Sequence, residues 1–272
     1  MKEVLINFYK LLKTPTEAPS PWGAFHIFCL IAVIFAAILL VRLFSNVSER
    51  GARAITLVFW VIIAVFEICK QFSCGLALVD GELVLSYPWG IFPYQFCSTP
   101  LYIMPIVIFA KDGKLRDAAI VFLATFAFIG GAAIYIAPDS VFTSNLFLNI
   151  QTMVHHGVQI FFGVYMAFRY YDKLTLKGFL RGAAMFLILC GIALAFNIAT
   201  HHILPSYGVT ETPNMFFISP YRRYVPDVLQ GMGIENMTYE SYLFAYLTIF
   251  ISCAFLVMHS MKALERLTRY DR

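Results

Sequence analysis

The chain has 272 residues, of which 60% are hydrophobic and only 13% charged, with a formal net charge of +4. A soluble domain carries about 25% charged residues, so this chain holds half the usual share, which excludes a soluble globular domain. Its small excess of positive charge is scattered along the chain rather than gathered in a basic tract interleaved with aromatics, which argues against nucleic-acid binding.

The first twenty residues lack a long apolar core and a small-residue cleavage site, so no cleavable signal peptide is expected. Leu5, Ile6, Phe8, Tyr9, Leu11 and Leu12 can form the greasy side of a short interfacial helix, with Lys2, Lys10 and Lys13 at headgroup level. The alternative is a frayed terminus. Long apolar runs then recur. A hydrocarbon core about 30 Å thick takes roughly 20 helical residues to cross, and in lipid the backbone must bond to itself, as a helix or a closed barrel. Barrel strands would alternate over about 10 residues, so unbroken runs select helices. The spans read as Trp22 to Phe44, Ala52 to Gly75, Gln95 to Phe109, Leu115 to Ile136, Leu146 to Tyr170, Lys177 to Leu204 and Ser241 to Leu264. The expected fold class is therefore all-α, a polytopic membrane helix bundle of about seven transmembrane helices forming one integral membrane domain over residues 1–272.

Orientation follows from Lys and Arg in the connections. Arg42, Arg50 and Arg53 follow the first span, Lys111, Lys114 and Arg116 the third, Arg169, Lys173, Lys177 and Arg181 the fifth, and Lys262, Arg266, Arg269 and Arg272 the last. The opposite side has Lys2, Lys10, Lys13, Arg222 and Arg223. The C-terminus is thus expected in the cytoplasm and the N-terminus outside. Two outer connections stand out. Residues 76–94 contain Asp80, Glu82, Pro88, Trp89, Gly90 and Pro93, and residues 205–240 form the longest extracytoplasmic loop, with Pro205, Pro213, Pro220 and Pro226. A connection that long is usually functional, and it can serve as a lid over an outward-facing site.

Ionisable groups within a span are costly and mark functional sites. Glu67, Lys70 and Gln71 fall late in the second span, Cys97 early in the third, His155, His156 and Gln159 in the outer part of the fifth, and Asn197, His201 and His202 late in the sixth. All share the outer half of the membrane, which predicts one polar pocket between helices. Cys97 lies in Phe92-Pro93-Tyr94-Gln95-Phe96-Cys97-Ser98-Thr99-Pro100. At a helix start, free N–H groups and the positive dipole end favour the nucleophilic thiolate, and a histidine completes the activation. Against this, a free cysteine is often only a small buried hydrophobe, and a Cys74–Cys97 disulfide is open on sequence grounds. No metal-type Cys/His spacing occurs, so neither a metal nor another cofactor is expected. His155 and His156 point about 100° apart on a helix, so one acts as base while the other packs or holds a backbone carbonyl, unless both are simply satisfied buried histidines. Glu67 and Lys70, three apart, form an internal ion pair, unless Glu67 orients a histidine or Lys70 binds an anionic headgroup. Asn197 reads as interhelical glue.

The Phe92-Pro93-Tyr94-Gln95-Phe96-Cys97 segment, His156-Gly157, Asn197, and Asn214-Met215-Phe216-Phe217 followed by Pro220 together resemble the YwaF-like bacterial integral membrane family, related to vertebrate transmembrane protein 164. The likeness runs from the second span to the seventh. It implies a bacterial inner (plasma) membrane location and, since the vertebrate relatives are described as lipid acyltransferases using a cysteine and a histidine, Cys97 as nucleophile and His156 as its base, with adjacent His155 as the alternative. The resulting expectation is a membrane-embedded lipid acyltransferase or lipid hydrolase that forms an acyl-thioester, with helix-start N–H groups near Ser98 and Thr99 holding the oxyanion. Glu67, Lys70, Gln71, Gln95, Gln159, Asn197, His201 and Asn214 are the supporting candidates, and membrane lipids the expected partners. The other readings are a transporter or receptor binding a solute in the same pocket, with Glu67, His155 and His156 as a titrating relay, and a structural or assembly factor.

Overall fold

The long apolar runs begin at side chains able to close a first helical turn. Ser48 accepts from the amide of Gly51 (3.2 Å) to start α3 (Glu49–Gly75). Asn145 accepts from Leu148 (2.9 Å) before α7 (Leu146–Arg169), and Thr175 from Gly178 (3.0 Å) before α8 (Leu176–Ile203). The remaining helices are α1 (Lys2–Leu12), α2 (Ala24–Phe44), α4 (Pro100–Phe109), α5 (Lys114–Phe122), α6 (Phe128–Ile136) and α9 (Tyr239–Arg269). A π-helical turn, Leu123–Ala127, joins α5 to α6. These elements come from a computed structural model, which describes residues 1–138, 141–222 and 233–269. Arg223, Pro226 and Arg272, weighed above, lie outside the described residues, as does the side chain of Arg269.

The protein is a nearly all-α, multi-pass membrane protein. Among the described residues five helical segments are long and apolar enough to cross a membrane: Ala24–Phe44, Glu49–Gly75, Lys114–Ile136, Leu176–Tyr207 and Tyr239–Thr268. The other two expected spans differ for identifiable reasons. Helix α4 has ten residues and so is about 15 Å long. The chain before it, Pro88 to Thr99, is not α-helical but two 3₁₀ turns, Trp89–Ile91 and Phe96–Ser98. Helix α7 has ample length, yet it carries Asn149, Gln151, His155, His156 and Gln159, all buried. It packs against α2, α3, α6 and α9, and a helix enclosed by other helices need not present an apolar surface to lipid.

The 76–94 connection holds a hairpin, with β1 (Leu76–Val79) antiparallel to β2 (Glu82–Leu85). Asp80 and Gly81 take positive φ (49° and 79°), the two-residue turn that Asp-Gly favours between strands. The pattern is plain in Leu-Val-Asp-Gly-Glu-Leu and could have been read from the sequence.

The charged connections converge at one end. Arg116, at the start of α5, reaches Glu49, Asp112 (3.0 Å) and the Tyr170 hydroxyl (2.9 Å), and its Nε donates to the Val107 carbonyl (3.0 Å). Arg53 donates to the Ile108 and Ala110 carbonyls, both at 2.8 Å, closing the C-terminus of α4. Arg181 meets Asp117 (3.3 Å), and Arg266 on α9 donates to Tyr171 (2.9 Å). The N-terminal helix lies at the other end, where Lys2 pairs with Glu82 and the Leu12 carbonyl accepts from Asn145 (3.0 Å).

Candidate active site

Cys97 stands in the 3₁₀ turn Phe96–Ser98. Its carbonyl oxygen accepts two hydrogen bonds from α7, from His155 Nε2 (2.9 Å) and Gln159 Nε2 (3.0 Å). A carbonyl only accepts, so His155 carries its proton on Nε2, and Nδ1 keeps a lone pair. His156 is set the other way: its Nδ1 donates to the Thr152 carbonyl (2.7 Å), which leaves Nε2 as the basic nitrogen. Both basic nitrogens are buried without a hydrogen-bond partner. Gln159 donates also to the His155 carbonyl (3.3 Å), and its Oε1 is likewise buried and unpartnered. The contact between His155 and residue 97 therefore runs through the backbone oxygen, and the ring nitrogen facing away from that bond is free.

Glu67 is buried on α3 and receives Lys70 Nζ (2.9 Å) and Gln71 Nε2 (2.6 Å). Gln71 donates in addition to the Ile91 carbonyl (2.8 Å) and accepts from the Tyr87 hydroxyl (2.7 Å). Glu67 and Lys70 act electrostatically on both Cys97 and His155, and Lys70 on His156 as well. The structure thus brings Glu67, Lys70, Gln71, Cys97, His155, His156 and Gln159 into one cluster drawn from α3, the Phe96–Ser98 turn and α7.

Gln95, Asn197 and Asn214 do something different. Asn197 on α8 donates to the Met215 carbonyl (3.0 Å) and accepts from the Met215 amide (2.7 Å). Gln95 donates to the Asn214 carbonyl (3.0 Å) and accepts from Phe216 N (3.0 Å). Asn214 accepts from Ser219 N (2.8 Å) and donates to the Arg222 carbonyl (2.8 Å). Three side-chain amides thereby hold residues 214–219 in place, where Phe216 and Phe217 take positive φ (57° and 59°). Asn197 is glue, as its type suggested, but it joins a helix to a loop and not two helices. His201 stands apart from the cluster: its ring stacks on Tyr221 at 3.6 Å, and His202 Nε2 meets the Tyr221 hydroxyl at 3.1 Å.

Two local expectations change. The amides of Ser98 and Thr99 are not free, because they donate to the Gln95 (2.8 Å) and Phe96 (3.2 Å) carbonyls within the 3₁₀ turn. They are therefore not the open donors of a first helical turn. All six cysteines are free thiols, so Cys74 and Cys97 are not joined.

The model of the TMEM164 family matches residues 20–259, which include the whole cluster. The chain belongs to the TMEM164 family. Comparisons with curated proteins and with solved structures found no match. In this TMEM164-family chain one polar group beside the cluster escaped sequence reasoning. Tyr246, on α9, has a buried hydroxyl without a hydrogen-bond partner and lies within electrostatic range of Cys190, Tyr242 and Cys97. Being one of 15 tyrosines, on an apolar helix, it carried no signal in the sequence.

Proposed function

We propose that the protein is a lipid acyltransferase or lipid hydrolase of the membrane interior, with Cys97 as nucleophile and His156 as base. The observation that carries this reading is the imidazole of His155 on the Cys97 carbonyl (2.9 Å) with the His156 ring 5.6 Å from it, centre to centre, each ring fixed in one tautomer by a backbone carbonyl and each keeping a buried basic nitrogen without a hydrogen-bond partner. Membership of the TMEM164 family supports it. The proposed site lies in the outer half of a seven-helix membrane domain whose N-terminus is outside and whose C-terminus is in the cytoplasm of a bacterial cell. Helix α7 and the short α4 then complete the seven crossings.

In the proposed reaction His156 Nε2 takes the Cys97 proton. The sulfur attacks the acyl carbonyl of a lipid ester, the ester C–O bond breaks, and the leaving alcohol takes the proton from the imidazolium. The acyl-thioester then passes its acyl group to a lyso-lipid hydroxyl or to water. His155 and Gln159, which hold the Cys97 carbonyl, position the nucleophile. Cys97→Ala and Cys97→Ser are expected to abolish both labelling by a lipid-like thiol-reactive probe and acyl turnover in the purified full-length protein. Turnover that persists in Cys97→Ala would reject the acyl-enzyme, and a solute flux into proteoliposomes that survives the same substitution would point to transport.

A further inference from the structure

An acyl oxygen that becomes an oxyanion needs hydrogen-bond donors aimed at it, and these usually provide the largest single contribution to acyl transfer. Around Cys97 several candidate donors are occupied. The amides of Ser98 and Thr99 close the 3₁₀ turn, and the N–H groups of His155 and Gln159 serve backbone carbonyls. Lys70 gives one of its three N–H donors to Glu67. Among the described residues the Tyr246 hydroxyl, on the helix next to this turn, is buried and without a partner.

Its position is fixed by ring packing. Tyr246 lies 4.5 Å from Phe250, ring centre to ring centre, and Phe250 meets Phe96 edge-on at 4.8 Å. Phe250 also stacks on Phe186 at 5.8 Å, and Phe186 on Phe126 of the π-helical turn at 4.9 Å. This column of rings ties the phenol, on α9, to the turn that holds Cys97, on whose carbonyl His155 of α7 is also seated. A buried hydroxyl left without a partner costs about 1–3 kcal/mol, a cost that has a physical reason if a ligand atom completes the bond.

We propose that Tyr246 is a catalytic residue of this site, its hydroxyl donating a hydrogen bond to the acyl oxygen of a lipid ester as Cys97 attacks. The proposal rests on the acyl-transfer reading above. When the sulfur–carbon bond forms, the carbonyl π pair moves onto oxygen and Tyr246 O–H stabilises it. When the tetrahedral intermediate collapses, that pair re-forms the carbonyl, the ester C–O bond breaks, and the phenol keeps its proton throughout.

The test compares Tyr246→Phe with the native full-length protein in two reactions at the same thiol. Acylation is read as nitrophenolate released from a p-nitrophenyl ester of a long-chain fatty acid. Alkylation is read by mass spectrometry of Cys97 with a long-chain iodoacetamide, whose displacement at carbon forms no oxyanion. The expected result is acylation slowed about 100- to 1000-fold, with alkylation unchanged within about twofold. The melting temperature should equal or exceed the native one, since only an unpartnered oxygen is removed. Acylation at the native rate would overturn the assignment, and so would an equal fall in both reactions, which would mean that the phenol acts on the thiol or the fold. If the native protein takes no acyl label at Cys97, or if Cys97→Ala releases nitrophenolate as fast, the acyl-enzyme reading itself fails and the role of Tyr246 fails with it.

Discussion

His155 and His156 are neighbours in sequence, yet their hydrogen bonds give them opposite tautomers and so different tasks. His155 is committed through Nε2 to the Cys97 carbonyl, whereas His156 is held only by its own helix, at Thr152. Hydrogen bonds of this kind stabilise by about 0.5–1.5 kcal/mol each, but an orphaned buried group costs about 1–3. Among the described residues, His155 Nδ1, His156 Nε2, Gln159 Oε1 and Tyr246 Oη are such orphans, as are Ser73 Oγ on α3 and Tyr165 Oη and Arg169 Nε farther along α7. Native proteins hold few of them, and each calls for an explanation; a substrate is the simplest here. Substituting the base and the positioning residue should separate their roles. His156→Gln is expected to lower the rate of acyl-enzyme formation about 10²- to 10⁴-fold. His155→Gln keeps an N–H for the Cys97 carbonyl and should retain more activity than both His156→Gln and His155→Ala. Single-turnover acylation of Cys97 reads the order, and the reverse ranking would exchange the two assignments.

The elements reach this arrangement by close approach. A Cβ at Gly131 on α6 would lie 2.5 Å from the His156 carbonyl and 2.8 Å from Gln159 Cβ, whereas one at Gly191 on α8 meets nothing within 4 Å. Backbone cannot yield as the end of a side chain can, so Gly131→Ala must push α7 away from α6 and carry the imidazoles with it. The expected cost is about 1–3 kcal/mol, with acyl turnover lost in proportion to the displacement. Gly191→Ala should leave activity intact and match or slightly raise stability, by up to about 1 kcal/mol. Thermal unfolding in detergent, with turnover measured alongside, compares them, and equal tolerance of the two would show that the α6–α7 contact does not set the site. Helix α4 shows the complementary constraint. It is only ten residues long and follows non-helical chain, and in a membrane protein such backbone is tolerated within the bilayer only where protein buries it. Tyr94, Phe96, Met215, Phe216 and Ile218 are accordingly buried, and the amides of Gln95, Asn197 and Asn214 satisfy the backbone of the 214–219 loop.

At the scale of the whole molecule, charge is sorted to the two ends. Arg53, Arg116, Arg169, Arg181 and Arg266 gather where Glu49, Asp112 and Asp117 lie, while Lys2 pairs with Glu82 at the opposite end. Lys and Arg near span ends favour the cytoplasmic side. A reporter active only in the cytoplasm, fused after Arg272, should therefore be active, and the same reporter before Met1 silent. The inverse pattern would reverse the bundle and place Cys97 toward the inner leaflet.

Composition alone determined that the chain lives in a membrane as helices, because a chain so poor in charge and so rich in long apolar runs has no other way to satisfy its backbone in lipid. The rarity of polar residues within those runs also made Glu67, Lys70, Cys97, His155, His156 and Gln159 stand out, since each is costly wherever it lies. The sequence could not show that α4 is only ten residues long or that α7 is an enclosed helix, because both depend on which neighbours cover them. Nor could it separate Gln95, Asn197 and Asn214, which bind a loop, from the residues around Cys97. Only the tertiary structure decided that the Cys97 carbonyl fixes His155 and that Phe250 links Tyr246 to Phe96, since contacts between distant segments are a property of packing, not of any local pattern.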